Sequence, residues 1–197
     1  MDEKEALINS IEHFVPLDEA EKSRVLAHFK TMLLKKEAHF LEIGQVCNQV
    51  AFLCQGLLMY YFIPEEAEEK AIDFAFEGDW VTYNYSRLSQ RPSKIGIKAL
   101  EPSLLIIIGQ ADLNDLYVKV PKIERVGRIL AENALVAFAQ QTEDFQQLNA
   151  KARYLKLLEL KPQLTERVPQ YHIAAYLGIN PKSLSRIRHQ ISRHKGI

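Results

Sequence analysis

The sequence predicts an α+β chain: two short N-terminal helices, a small antiparallel β domain, one long helix and a C-terminal helix-turn-helix. Apolar periodicity changes from helical to short strand-like runs near residue 31 and returns to helical near Ala111. Gly178, Asn180 and Pro181 mark a tight turn between two short amphipathic segments. Charge is segregated as well. Residues 1–150 hold 15 Lys+Arg and 23 Asp+Glu, a net of −8, whereas residues 151–197 hold 10 and 2, a net of +8.

Residues 3–14 place Leu7, Ile8, Ile11 and Phe14 on one helical face, and residues 18–30 do the same with Val25, Leu26 and Phe29. Asp18 is positioned to cap the second helix. Strand-like runs follow at Ala38–Ile43, Gln49–Cys54, Leu57–Ile63, Lys70–Phe76, Lys94–Ala99 and Ser103–Gly109. Turn signals separate them at Gly44, Gly56, Pro64, Gly78 and Pro102, so the region reads as a small antiparallel barrel, roll or sandwich. Asp112–Val118 reads as a short helix, and Pro121 suits the first turn of a longer one.

In that longer helix Ile123, Val126, Leu130, Ala134, Phe138, Gln141, Phe145 and Leu148 are spaced 3, 4, 4, 4, 3, 4 and 3 apart. The stripe runs along roughly 40 Å of helix at 1.5 Å per residue. So long a rod outruns the core of a small domain, and the narrow stripe with a polar Gln141 reads as a dimer seam. Packing against the strands is the alternative. Asn149-Ala150-Lys151 marks a hinge, and Ala152–Leu160 a further helix stopped by Pro162.

From Val168 to Ile197 there is no carboxylate side chain, while Lys182, Arg186, Arg188, Arg193 and Lys195 are present. Ile173, Ala174 and Leu177 give a first helix its inner face, with Ala174 small enough for close approach. Gly178 suits a left-handed C-cap, Asn180 caps the second helix, Pro181 fills its first position, and Leu184 and Ile187 anchor it to the core. This is helix-turn-helix grammar. Lys182, Ser185 and Arg186 are placed for base edges in a major groove; Ser183, Arg188, His189 and Arg193 are placed for phosphates. A basic segment coinciding with such a motif implies duplex DNA as the partner.

With glycine turns, one long helix and a C-terminal helix-turn-helix in order, the chain resembles the cyclic-AMP receptor protein / fumarate–nitrate regulator (Crp–Fnr) family over nearly its whole length. Phe40-Leu41-Glu42-Ile43-Gly44-Gln45 and Phe52-Leu53-Cys54-Gln55-Gly56-Leu57 resemble the family's roll turns. Phe76-Glu77-Gly78-Asp79-Trp80 resembles the entry to its phosphate-binding cassette, and Tyr171–Arg188 its DNA-reading motif. The resemblance implies a double-stranded β-roll sensor (residues 1–120), a dimerisation helix (121–149) and a DNA-binding domain (150–197). It implies a homodimeric transcription regulator in the cytoplasm, with double-stranded DNA and a second copy as partners and RNA polymerase as a further candidate. A two-fold dimer would read half-sites about 34 Å apart.

The cassette departs from the family pattern. Thr82 and Tyr83 stand where its Gly-Glu pair holds the ribose, and Ser93 and Lys94 where its Arg-Ser pair holds the cyclic phosphate; Arg91 lies two residues early. Hence the expectation is a regulator that does not respond to cyclic AMP in the usual way. Any small-molecule effector is expected near Trp80, Thr82, Tyr83, Asn84, Arg91, Ser93 and Lys94, and Asp73 is a further pocket candidate. Only Leu160–Arg167 separates the helices ahead of the motif, so no wing is expected.

Other functions find no motif. There is no GxSxG, P-loop or GxGxxG, and no helical histidine pair, so neither an enzyme nor a metal site is expected. Cys47 and Cys54 cannot supply four ligands to an iron–sulfur cluster. They read as small buried apolar residues, with a thiol redox sensor as the alternative. The apolar content, 47% of 197 residues, suffices for a core. No window reaches the roughly 18 apolar residues of a membrane span, and the acidic N-terminus lacks a signal h-region. The rival reading is a ligand- or protein-binding β-roll with a vestigial DNA motif.

Overall fold

In the computed structural model, which describes residues 2–65 and 68–194, each N-terminal helix begins where the sequence supplies a cap. Asp2 caps α1 (Glu3–Glu12), and Asp18 and Glu21 form a reciprocal capping box on α2 (Glu19–His28). Glu66, Lys195 and the side chain of His194 lie outside the described residues.

Eight strands follow in two four-stranded antiparallel sheets. They are β1 (Lys30–Leu34), β2 (His39–Leu41), β3 (Gln49–Gln55), β4 (Leu58–Phe62), β5 (Lys70–Ala75), β6 (Trp80–Val81), β7 (Gly96–Ala99) and β8 (Ser103–Gly109), with α3 (Asn84–Ser89) between β6 and β7. The orders are β1-β8-β3-β6 and β2-β7-β4-β5, so every strand connection but β4 to β5 crosses between sheets and the expected roll results. Leu41, Ala51, Leu53, Leu58, Val81, Ile97 and Leu105 fill the space between the sheets. Gly56 sits at φ +108°, and a Cβ there would lie 2.7 Å from the Ser103 backbone, so the turn before β4 admits only glycine.

The six anticipated strands are present. β1, β6 and α3 were not anticipated: the first is a five-residue ladder on β8 alone, the second spans two residues, and neither run is long enough to show a period of two.

The outer faces of the two sheets bury different partners. Phe52, Ile106 and Ile108 pack against α1, α2, α4 (Gln110–Lys119) and the start of α5 (Pro121–Gln147). On the other sheet, Leu57, Met59, Tyr61, Ala71 and Phe74 share one core with Tyr154, Leu157, Leu164, Ile173, Ala174, Leu177 and Leu184. These belong to α6 (Ala150–Leu160), α8 (Gln170–Tyr176), α9 (Pro181–His194) and the segments around the single turn α7 (Leu164–Arg167). The C-terminal helices therefore have no separate core; they complete one with the roll.

A polar clamp rims that shared core. Arg167 donates from both terminal nitrogens to the Glu77 carboxylate at 2.7 Å each, and also reaches Glu101. Lys161 pairs with Asp73 at 2.9 Å. The Arg167 guanidinium, above all, holds the Glu77 carboxyl down at about 2, and the Gly56 N–H adds to this. A depressed carboxyl stabilises the fold fully above its unfolded value of 4.5, and the contribution is lost as pH falls toward 2. Arg167→Gln should therefore lower the urea midpoint at neutral pH, and the gap from wild type should narrow between pH 4.5 and 2. A gap that stayed constant over that range would contradict the assignment.

The stripe on α5 corrects one expectation. Ile123 and Val126 are buried in the chain's own roll, 5% and 2% exposed, and cannot belong to a seam. Gln141 donates to the Tyr176 hydroxyl at 3.1 Å, and Phe145 lies under the Arg153 guanidinium at 4.5 Å, so both pack on the C-terminal helices. Leu130 is half-buried against the same core as Ile123 and Val126, and Leu148 is half-buried. Of the eight stripe residues, Ala134 and Phe138 remain on the open stretch, where residues 131–140 are all exposed and Leu135 and Val136 add apolar surface.

Candidate nucleic-acid interface and sensor cavity

The α8–α9 pair is built as the sequence specifies. Gly178 lies at φ +67°, ending α8 in the left-handed conformation. Asn180 Oδ1 accepts from the Ser183 N–H at 2.8 Å, and Pro181 opens α9. Leu184 is fully buried, with Ile187 and Ile191 packed behind it on the same core. Burying 184, 187 and 191 turns 182, 185, 186 and 189 outward by helical periodicity. Accordingly Lys182, Ser185, Arg186, Arg188, His189 and Arg193 are exposed, and Ser183 is half-buried. Among the described residues, none of Lys182, Arg186, Arg188 and Arg193 has a carboxylate partner, so the face keeps its full positive charge. Residues 110–194 contain no strand, so among the described residues no wing accompanies the pair.

His172, on α8, is buried against the roll with Nδ1 unpartnered. Burial first, and then the charge of Lys98, pushes its pKa down, while Glu69 and Glu37 oppose this. Lys98 itself is buried and paired with Glu37 at 2.7 Å and Glu69 at 2.6 Å.

A cavity of about 390 Å³ opens between the roll and α5. Three of the expected pocket residues, Trp80, Thr82 and Asn84, line it, as does Asp73. Tyr83, Arg91, Ser93 and Lys94 do not. Ser93 is buried with its hydroxyl spent on the Ile95 backbone, and Arg91 and Lys94 face solvent. The arginine that does line the cavity is Arg87, on α3. It lay within a segment with no strand run, and its one sequence signal was the spacing of three from Asn84, whose Oδ1 it meets at 2.9 Å.

Cys47 is buried and Cys54 half-buried, neither in a disulfide. Burial pushes Cys54 up to about 11, which keeps it a neutral thiol at physiological pH. Among the described residues no cluster of three or more His, Cys, Asp or Glu could hold a metal ion, and no helix is long and apolar enough to cross a membrane.

No protein-family model and no curated protein sequence matches the chain. Many solved structures do. FixK2 from Bradyrhizobium japonicum is 14% identical with a TM-score of 0.72, covering 85% of this chain and 86% of that one. The c-di-GMP-responsive regulator CLP from Xanthomonas campestris is 13% identical with a TM-score of 0.66, covering 90% and 93%. A regulator from Eubacterium rectale assigned to the Crp/Fnr family is 17% identical with a TM-score of 0.66, covering 90% and 85%. At such identities the likeness is one of fold: the chain has the architecture of Crp/Fnr regulators, from β-roll to helix-turn-helix.

Proposed function

We propose that this chain is a homodimeric, sequence-specific DNA-binding transcription regulator whose activity is set by a small molecule in the cavity between roll and α5. The observation that carries the reading is the unpaired basic face of α9, presented by a capped helix anchored through Leu184. Arg186 suits guanine, through two parallel hydrogen bonds. Lys182 and Ser185 lie beside it on the same helical face; Arg188, His189 and Arg193 suit phosphates. The apolar stretch of residues 131–140 supports a second copy as its cover, with RNA polymerase the further partner an activator would need.

The cyclic-AMP response is absent in this reading. The position equivalent to the phosphate-binding arginine holds Ser93, which is buried and self-satisfied, and Tyr83 replaces the ribose-binding carboxylate. A duplex selected from a random library should bind with an affinity that falls steeply with salt. Arg186→Ala should lose about 5- to 150-fold on that duplex and relax its preference at one base pair. Arg193→Gln should weaken all sequences alike and lower the salt slope by about 1. Salt-insensitive binding, or an Arg186→Ala variant as tight as wild type, would favour the rival reading of a β-roll module with a vestigial motif.

A further inference from the structure

We propose that the roll–α5 cavity accepts a small apolar carboxylate, with its acid group held by Arg87. This rests on the cavity being the effector site, as proposed above.

Asp73 and Arg87 are the charged side chains lining the cavity among the described residues. Asp73 is already neutralised by Lys161. Arg87 has no carboxylate partner: its terminal nitrogens donate to Gln110 Oε1 at 2.8 Å and Asn84 Oδ1 at 2.9 Å, and its Nε is buried with no partner at all. Gln110 is fixed in turn by donating to Asn114 at 2.8 Å. Two neutral amides thus aim the guanidinium without cancelling its charge. An incompletely satisfied cation beside a cavity is costly unless an anion completes it.

The second group at this end is Tyr117, which also lines the cavity. Burial raises its pKa and the field of Arg87 lowers it, so its neutral hydroxyl lies within the influence of the guanidinium and can donate to an anion. Its hydroxyl occupies space a side chain on α5 would need: a Cβ at Gly127 would lie 2.4 Å away. The helix is bare where the phenol reaches it.

The chemical class follows from what surrounds these groups. Ile108, Val126, Leu130, Trp80 and Phe138 supply apolar wall. A planar carboxylate matches the guanidinium edge. One cation without a carboxylate partner suits a single negative charge, and the Asp73 and Asn84 acceptors that a ribose would need are already engaged by Lys161 and Arg87.

Calorimetric titration of the full-length protein with octanoate, octanamide and cyclic AMP tests this. Octanoate should bind about 10- to 100-fold more tightly than its neutral amide. Arg87→Gln should abolish that preference and Arg87→Lys retain part of it; the comparison of acid with amide on wild type needs no variant to fold. Equal binding of acid and amide would overturn the proposal and leave the cavity as a ligand site. A preference unchanged in Arg87→Gln, or cyclic AMP binding more tightly than octanoate, would also overturn it. If none of the three binds at millimolar concentration, the effector-cavity reading loses its support and the proposal fails with it.

Discussion

Replacing Phe74 with alanine is expected to lower the melting temperature by about 6–20 °C, from a loss of about 3–5 kcal/mol for a buried phenylalanine in a chain of this size. Phe74 is 1% exposed, on the outer face of β5, and its ring meets that of Tyr176 at 5.9 Å. It stands in the middle of the core that the roll and the C-terminal helices build together. The short α6–α9 unit would bury too little apolar surface alone to be stable. The wild-type chain should therefore unfold in one transition. Trp80, the single tryptophan and a residue of the roll, reports on one half by fluorescence, while far-UV ellipticity weights the helices. The two melting curves should coincide in wild type and shift together in Phe74→Ala. Separate transitions in wild type would contradict the shared core.

That shared core also explains which features could be read from the chain and which could not. Gly178, Asn180 and Pro181 act within a few residues of themselves, so the turn and cap of the helix-turn-helix were legible in full. The same holds for Asp18 and for the glycine of the tight turn at Gly56. The α5 stripe was legible as apolar but not as divided. Ile123 and Phe145 have the same pattern, yet one meets the roll and the other the C-terminal helices, and no local rule distinguishes those partners from a second chain. The cavity's lining departs from the expected residues for a related reason. Counting along a cassette placed the cation at Ser93 and Lys94, whereas a short α3 carries Arg87 inward instead and leaves Lys94 outside. Residues that act through three-dimensional neighbours, such as Arg167 on Glu77, gave no signal in the sequence at all.

If the proposed dimer meets along residues 131–140, wild type should sediment as a dimer and Phe138→Glu as a monomer at micromolar concentration, with the fold intact. Phe138 is 67% exposed within one chain, beside Leu135 at 69% and Val136 at 56%, so its replacement removes no intrachain core. Surface changes of this kind cost the monomer about 0.5 kcal/mol or less. A glutamate facing its two-fold mate places like charges together in a dry seam, where desolvation adds to repulsion. Affinity for a palindromic operator should fall by about 10²- to 10⁴-fold as the two helix-turn-helix units lose their tether, while binding to an isolated half-site stays near wild type. Sedimentation and titration against full and half operators would check both. An unchanged dimer would place the seam elsewhere. Phe138 and Ala134 also line the roll–α5 cavity, so the second copy, in covering them, would border the ligand. In the proposed dimer, a ligand that repositioned this part of α5 would thereby bias how two copies meet, and through Gln141, Tyr176 and Phe145 how each α9 is held.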